Sequence, residues 1–108
     1  AYNLVTRHNA IAQYRIYEVG ASGEPRRVGA VPVREPAYMH SFGMSRNHFV
    51  LADFPLKVNS LSLLLWLRPY IENFRWKPRL GTPFIVLDRR SGAQVARFEA
   101  DPFFAFHH

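Results

Sequence analysis

Pairs of short β-type segments, each pair joined by a cluster of turn-forming residues, constrain the fold of this chain more than any other feature. Within the segments, apolar side chains alternate with polar ones, which is the pattern of a half-buried strand. Turn formers concentrate between them, as in the Gly-Ala-Ser-Gly-Glu-Pro run at residues 20–25. The predicted hairpins pair residues 14–19 with 27–33, 38–42 with 48–54, and 84–88 with 94–100, and a last strand starts near Phe103.

This succession of hairpins predicts an all-β architecture. Pro32 and Pro36 lack a backbone N–H, so they place the strand at residues 27–33 at a sheet edge or end it early. Short antiparallel strands separated by turns are typical of sandwiches, barrels and propellers. Periodicity alone does not choose among these three folds.

Residues 59–69 depart from the β pattern. Their leucine-rich sequence predicts a short helical or irregular insert, which Asn59 or Ser60 caps and Pro69 ends. The insert is far shorter than the roughly 20 apolar residues that cross a bilayer. Basic residues lie before, within and after it, namely Lys57, Arg68, Arg75, Lys77 and Arg79.

Composition narrows the class of protein. A length of 108 residues with 48% hydrophobic residues indicates one ordered domain or a part of one. The absence of cysteine excludes a disulfide framework and a thiolate metal site, and it fits a cytoplasmic protein. The net charge of +6 is scattered without a nucleic-acid-binding module, so no nucleic acid is expected as a partner. The missing initial Met and the aromatic C-terminal run lead us to expect that both ends are truncated.

Histidines are the candidate metal ligands. His8 is expected in a solvated loop and His48 at the surface, where a strand begins. His40 stands between large apolar residues, and it fits either a buried structural histidine or a metal ligand. His107 and His108 follow three phenylalanines, and they fit either ligands or the remnant of a purification tag. Short-range metal motifs are absent, as are nucleophile elbows and phosphate-binding glycine loops.

Several separated motifs resemble the carotenoid cleavage oxygenases. Residues 35–44, Glu-Pro-Ala-Tyr-Met-His-Ser-Phe-Gly-Met, are similar to the second histidine motif of that family. Residues 49–56 and 71–78 continue the similarity in the right order, together with Gly81-Thr82 and the strand at 84–88. Residues 102–108 resemble the start of the third histidine motif.

The resemblance implies a fold and a cofactor. It implies that residues 1–108 are part of a single carotenoid oxygenase domain, a seven-bladed β-propeller interrupted by the insert around 59–69. It also implies one Fe(II) per full-length subunit, held by four histidines. His40 would be the second ligand and His107 the third, with His108 as its neighbour. The remaining ligands and the glutamates that orient them lie outside this chain.

The resemblance further implies an enzyme, a dioxygenase that cleaves a conjugated C=C bond of a carotenoid or apocarotenoid with dioxygen to give aldehyde or ketone products. The fragment itself would be inactive. Two alternatives remain open: a stilbene-cleaving oxygenase of the same family, and an iron-free propeller that serves as a binding or scaffold protein. Residues expected near the metal, in the substrate tunnel, are Tyr38, Phe42, Phe103, Phe104 and Phe106; the alternative is that they are ordinary core aromatics.

The leucine-rich insert acquires a role from the same resemblance. Its apolar side chains, among them Leu61, Leu64, Leu65 and Trp66, would enter a membrane while neighbouring basic residues meet lipid phosphates. The protein would then be cytoplasmic and peripherally membrane-associated. The alternative is a buried helix packed on the rest of the domain.

Overall fold

The computed structural model describes residues 2–7, 12–39, 41–58 and 74–105, and within them the chain is all-β. Its only helical element among the described residues is a single 3₁₀ turn at Pro78–Leu80. The strands are β1 (Tyr2–Arg7), β2 (Ala12–Val19), β3 (Pro25–Val33), β4 (Gly43–Met44), β5 (His48–Ala52), β6 (Leu56–Val58), β7 (Phe74–Trp76), β8 (Thr82–Asp88) and β9 (Gln94–Ala100).

The first sheet is antiparallel with the order β1-β2-β3. Its β2–β3 hairpin confirms the first predicted pair, and alternate residues of β2, including Tyr14 and Ile16, are fully buried. Strand β3 is at the edge of this sheet, where the backbone of Pro32 can be accommodated. Strand β1 is not among the predicted strands, although its residues alternate between half-buried and exposed.

The second sheet has the order β4-β5-β8-β9, and all its pairs are antiparallel. The β8–β9 hairpin confirms the third predicted pair. The prediction for the middle pair is wrong at its first strand: residues 38–39 and 41–42 are not in a strand, and the partner of β5 is the two-residue β4. Phe103 also begins no strand within the described residues.

A two-stranded ribbon of β6 and β7 pairs with residues 36–38, which overlap the predicted strand at residues 38–42 only at Tyr38. Ala37 forms an isolated antiparallel bridge with Lys57 of β6. Tyr38 N donates to Leu56 O at 2.9 Å, and Val58 N donates to Pro36 O at 2.9 Å. Residues 36–38 are therefore extended because they pair with β6. The two segments are about 20 residues apart, so this pairing is not evident from the sequence.

The core joins the two larger sheets. Tyr14, Ile16 and Val31 of the first sheet are buried in the same cluster as Phe49, Leu51, Ile85 and Leu87 of the second. Alternation along β2, β5 and β8 puts one face of each strand into this cluster. Burial of so many large side chains supplies the main favourable free energy of folding.

The turn of the β8–β9 hairpin touches the first sheet through a glycine. Gly92 has a φ of 75°, and a Cβ added there would be 2.1 Å from the carbonyl oxygen of Val28 and 3.1 Å from the Cα of Gly29. The backbones of the turn and of β3 can approach so closely because Gly92 carries no side chain. This contact fixes the hairpin against β3.

Candidate functional site

The segment at residues 36–38 is held from two sides. Its pairing with β6 uses the backbone groups of Pro36 and Tyr38, so the N–H of Ala37 points away from β6. That N–H donates instead to the hydroxyl oxygen of Tyr14 at 2.6 Å. Ala37 is 3% exposed, and its buried N–H would otherwise lack a partner.

A chain of buried polar groups continues from this hydrogen bond. The Tyr14 hydroxyl donates to Asp53 Oδ1 at 2.7 Å, and Lys57 Nζ donates to the same oxygen at 2.5 Å. Tyr14 is 0%, Lys57 5% and Asp53 8% exposed. Desolvation by burial raises the pKa of Tyr14 well above 10.0, and the charge of Asp53 raises it further. The phenol therefore stays protonated and donates its single proton to Asp53.

The Tyr38 side chain of the same segment packs in a cluster of aromatic rings. The Tyr38 ring meets Phe104 edge-on at 5.7 Å between centroids and Phe74 at 5.3 Å. Phe54 then meets Phe104 at 5.4 Å and Phe103 at 5.2 Å. Edge-to-face pairs at these distances favour a defined relative orientation of the rings. This aromatic cluster joins two parts of the chain that are more than 60 residues apart in sequence.

Phe42 belongs to a second aromatic group. Its ring is 5.9 Å from Phe49, which is 5.2 Å from the ring of Tyr2. The guanidinium of Arg89 lies over Tyr2 at 5.0 Å, donates to the Tyr2 hydroxyl at 2.8 Å and donates to the carbonyl of Ser45 at 2.8 Å. Arg89 thus ties the β8–β9 turn to β1 and to the turn before β5.

A cavity of about 450 Å³ adjoins the buried polar chain. Its wall combines β3 residues with Asp53, Lys57, Glu35 and Lys77. Lys77 Nζ contacts both carboxylate oxygens of Glu35 at 2.6 and 2.7 Å, and this pair is partly exposed. Lys57 and Lys77 are both ion-paired, so the expectation that basic residues near the insert meet lipid phosphates is wrong for buried Lys57.

The structure places only some of the residues predicted for the site. It brings Tyr38, Phe103 and Phe104 into one cluster and puts Phe42 in the other group. The remaining predicted residues, His40, His107, Phe106, Leu61, Leu64, Leu65 and Trp66, lie outside the described residues, as does the insert. Within the described ranges, no group of three or more His, Cys, Asp or Glu side chains converges as a metal site.

The polar chain of Tyr14, Asp53 and Lys57 was not foreseen. The sequence pattern predicts only a hairpin strand at Tyr14 and a basic surface around the insert at Lys57. Asp53 and Lys57 are four residues apart, but they meet across the bend between β5 and β6 and not on a helix. The sequence does carry a signal for this buried ion pair. An aspartate and a lysine stand in an otherwise apolar stretch at residues 51–58, Leu-Ala-Asp-Phe-Pro-Leu-Lys-Val.

Comparison with known proteins gives a consistent result. The family model described as retinal pigment epithelial membrane protein matches residues 1–108. A carotenoid isomerooxygenase of Galleria mellonella is 36% identical over 75 residues, which cover 67% of this chain and 15% of that protein. A mitochondrial carotenoid-cleaving dioxygenase of Macaca fascicularis is 35% identical over 83 residues, with 68% and 14% covered.

The similarity extends to a plant protein and to a solved structure. Carotenoid cleavage dioxygenase 8 of Arabidopsis thaliana, a chloroplastic protein, is 29% identical over 99 residues, covering 87% of this chain and 17% of its own. A solved mutant of the Synechocystis ACO superposes with a TM-score of 0.76 at 20% identity, over 99% of this chain and 22% of that one. The chain therefore spans about a sixth of the length of these curated relatives.

Proposed function

Because the chain belongs to the carotenoid cleavage oxygenase family, we propose that it is part of a longer enzyme that cleaves a conjugated C=C bond of a carotenoid or apocarotenoid with dioxygen. One substrate double bond and one dioxygen molecule give two carbonyl products, so no further reductant is required. The relatives named for carotenoid cleavage supply the substrate class. The whole protein is the proposed catalyst, and the isolated chain is inactive.

We further propose that His40 and His107 are two of the ligands of a single Fe(II) in each full-length subunit. Neutral imidazole suits Fe(II), and bound iron would supply the activation of dioxygen. Tyr38 precedes His40 by two residues and Phe104 precedes His107 by three, and their rings meet at 5.7 Å. This contact between the two histidine-bearing segments is the observation that carries the proposal.

The aromatic cluster is suited to line the site that would bind the substrate. Tyr38, Phe103 and Phe104 offer apolar faces that match a polyene and exclude water, and the buried rings of Phe54 and Phe74 support them from behind. Phe106 would extend this wall, whereas Phe42 packs against Phe49 in the other aromatic group. The function of the wall would be to orient the substrate double bond and to keep the site dry, since the reactive chemistry resides in the cofactor.

The remaining surface supports a larger β-propeller. Strand β9 ends its sheet, and Val95 and Phe98 on it are 54% and 62% exposed. An edge strand with exposed large apolar side chains usually pairs or packs with further chain. We propose that residues 1–108 belong to one seven-bladed propeller domain, whose other strands cover β9.

Product analysis under ¹⁸O₂ tests the proposed reaction. The full-length protein is incubated with β-carotene, an apocarotenal or resveratrol, and the carbonyl products are examined by mass spectrometry. We expect cleavage of a carotenoid or apocarotenoid with label in both products. Cleavage of resveratrol alone would favour a stilbene oxygenase, and no cleavage with no bound iron would favour a binding or scaffold protein.

Membrane contact is a separate proposal. A carotenoid substrate dissolves in bilayers, so an enzyme that uses it needs access to a membrane surface. We propose a cytoplasmic protein that touches the membrane through Leu61, Leu64, Leu65 and Trp66. Among the described residues, no helix combines the length and the hydropathy of a membrane span. Flotation with liposomes should be weakened by Leu64→Asp and by Trp66→Ser; unchanged flotation of both variants would refute the contact.

A further inference from the structure

The hydrogen bond between Ala37 and Tyr14 links the segment before His40 to strand β2. Residues 36–38 lie between β6 on one side and the Tyr14 side chain on the other. The phenol oxygen accepts the Ala37 N–H at 2.6 Å, as the carbonyl of a neighbouring strand would. A side chain from another sheet thereby holds the backbone three residues before His40.

The position of that phenol is fixed in turn by two buried charges. Tyr14 donates to Asp53, and Lys57 balances the carboxylate charge. Asp53 N also donates to the carbonyl of Pro83 at 2.9 Å, which ties the network to β8. The Tyr14 hydroxyl accepts a hydrogen bond from Ala37 N and donates one to Asp53, which also accepts one from Lys57. Because every group in this network has a partner, the hydroxyl has one favourable location. In the part of the chain that the structure describes, no buried side-chain N or O atom lacks a hydrogen-bond partner.

We propose that Tyr14, Asp53 and Lys57 form a positioning network that sets the backbone carrying His40 for the metal. The inference rests on the proposed function, because it assigns His40 to the iron site. Tyr14 is a positioning residue and touches neither substrate nor metal in this account. It acts through the Ala37 N–H, and Lys57 and Asp53 act through Tyr14.

The substitution Tyr14→Phe in the full-length protein removes one oxygen and keeps the ring. Tyr17→Phe is the matched control, because Tyr17 is on the same strand and its hydroxyl is not part of this network. The first measurement is amide hydrogen–deuterium exchange of the metal-free protein in peptides covering residues 36–42. We expect faster exchange there in Tyr14→Phe, with no change in peptides from the β8–β9 hairpin.

The second measurement is Fe(II) affinity by chelator competition. Loss of a group that orients a metal ligand typically lowers affinity about tenfold or more, and we expect a loss of that order in Tyr14→Phe but not in Tyr17→Phe. If Tyr14→Phe does not fold, the double variant Asp53→Leu with Lys57→Met removes both charges together and should show the same two effects.

The outcomes separate this inference from the proposed function. Unchanged exchange at residues 36–42 would overturn the network's role, and so would uniform acceleration across the whole protein, which indicates only lower stability. Faster local exchange with unchanged iron affinity would overturn the link to the metal. A wild-type protein without iron would refute the proposed function, while the exchange measurement would still decide whether Tyr14 holds the segment.

Discussion

Gly92 offers a quantitative test of how the β8–β9 turn meets the first sheet. The substitution Gly92→Ala adds one methyl group at a residue with a φ of 75°, a conformation that costs an L-residue about 1–2 kcal/mol. That methyl carbon would lie 2.1 Å from the Val28 carbonyl oxygen, so the turn and β3 must move apart. Overpacking of this kind costs about 1–3 kcal/mol more. We expect a total loss of about 2–5 kcal/mol.

Gly23→Ala is the matched control. Gly23 has a φ of 78°, and a Cβ added there meets nothing within 4 Å. Its substitution should therefore cost only the conformational strain, about 1–2 kcal/mol. The backbone penalty is common to the two variants, and the difference between them measures the contact with β3.

Denaturant unfolding of the full-length protein and the two variants, followed by fluorescence, provides the assay. We expect the free energy of unfolding to fall by about 1–3 kcal/mol more for Gly92→Ala than for Gly23→Ala. Equal falls would show that the turn does not press against Val28 and Gly29. That result would refute the arrangement of the two sheets described here.

Three further predictions concern charged residues. Lys57→Met leaves the buried Asp53 carboxylate without its cation and should lower the free energy of unfolding by about 3–5 kcal/mol. The control Arg97→Met, in an exposed ion pair, should lower it by less than about 1 kcal/mol. Equal losses in the two variants would contradict the burial of Lys57. Arg89→Lys loses the planar contact with the Tyr2 ring and should destabilise the protein by about 1 kcal/mol. The exposed substitution Arg90→Lys is the control and should be nearly neutral. Equal stability of the two variants would refute the proposal that Arg89 links the β8–β9 turn to β1. Hydrogen bonds from the Arg90 N–H and the Ser91 hydroxyl lower the pKa of Asp88 below its usual 3.8, so its stabilising effect is complete above that pH and is lost as the pH falls through the lowered value. Asp88→Asn should consequently flatten the decline of the melting midpoint in acid, and an unchanged decline would contradict this role.

The sequence predicts the outer hairpins well because local signals determine them. In the β2–β3 and β8–β9 pairs, alternating apolar residues flank a turn whose glycine, Gly23 or Gly92, has a positive φ. Residues close together in the sequence therefore determine both the pairing of the two strands and the turn between them. The β1 strand escapes prediction because it is short and no glycine or proline marks a turn after it, so its pairing with β2 is not visible in the sequence.

The middle of the chain is determined by distant contacts. Residues 38–42 have the composition of a strand, but residues 36–38 find their partner in β6, about 20 positions later. The aromatic residues were expected near one another on the basis of the family resemblance, and the cluster of Tyr38 with Phe104 could not be derived from spacing. The pairing of Asp53 with Lys57 depends on a bend between two strands, which periodicity does not encode.

Iron content is the measurement that tests the central claim most directly. The full-length wild type should contain close to one iron per subunit, and His40→Ala and His107→Ala should each lose most of it. His48→Ala, at the start of β5, serves as the control and should retain its iron. Iron that survives the loss of His40 or of His107, or a wild type that contains none, would contradict the proposal that these two histidines hold a catalytic metal.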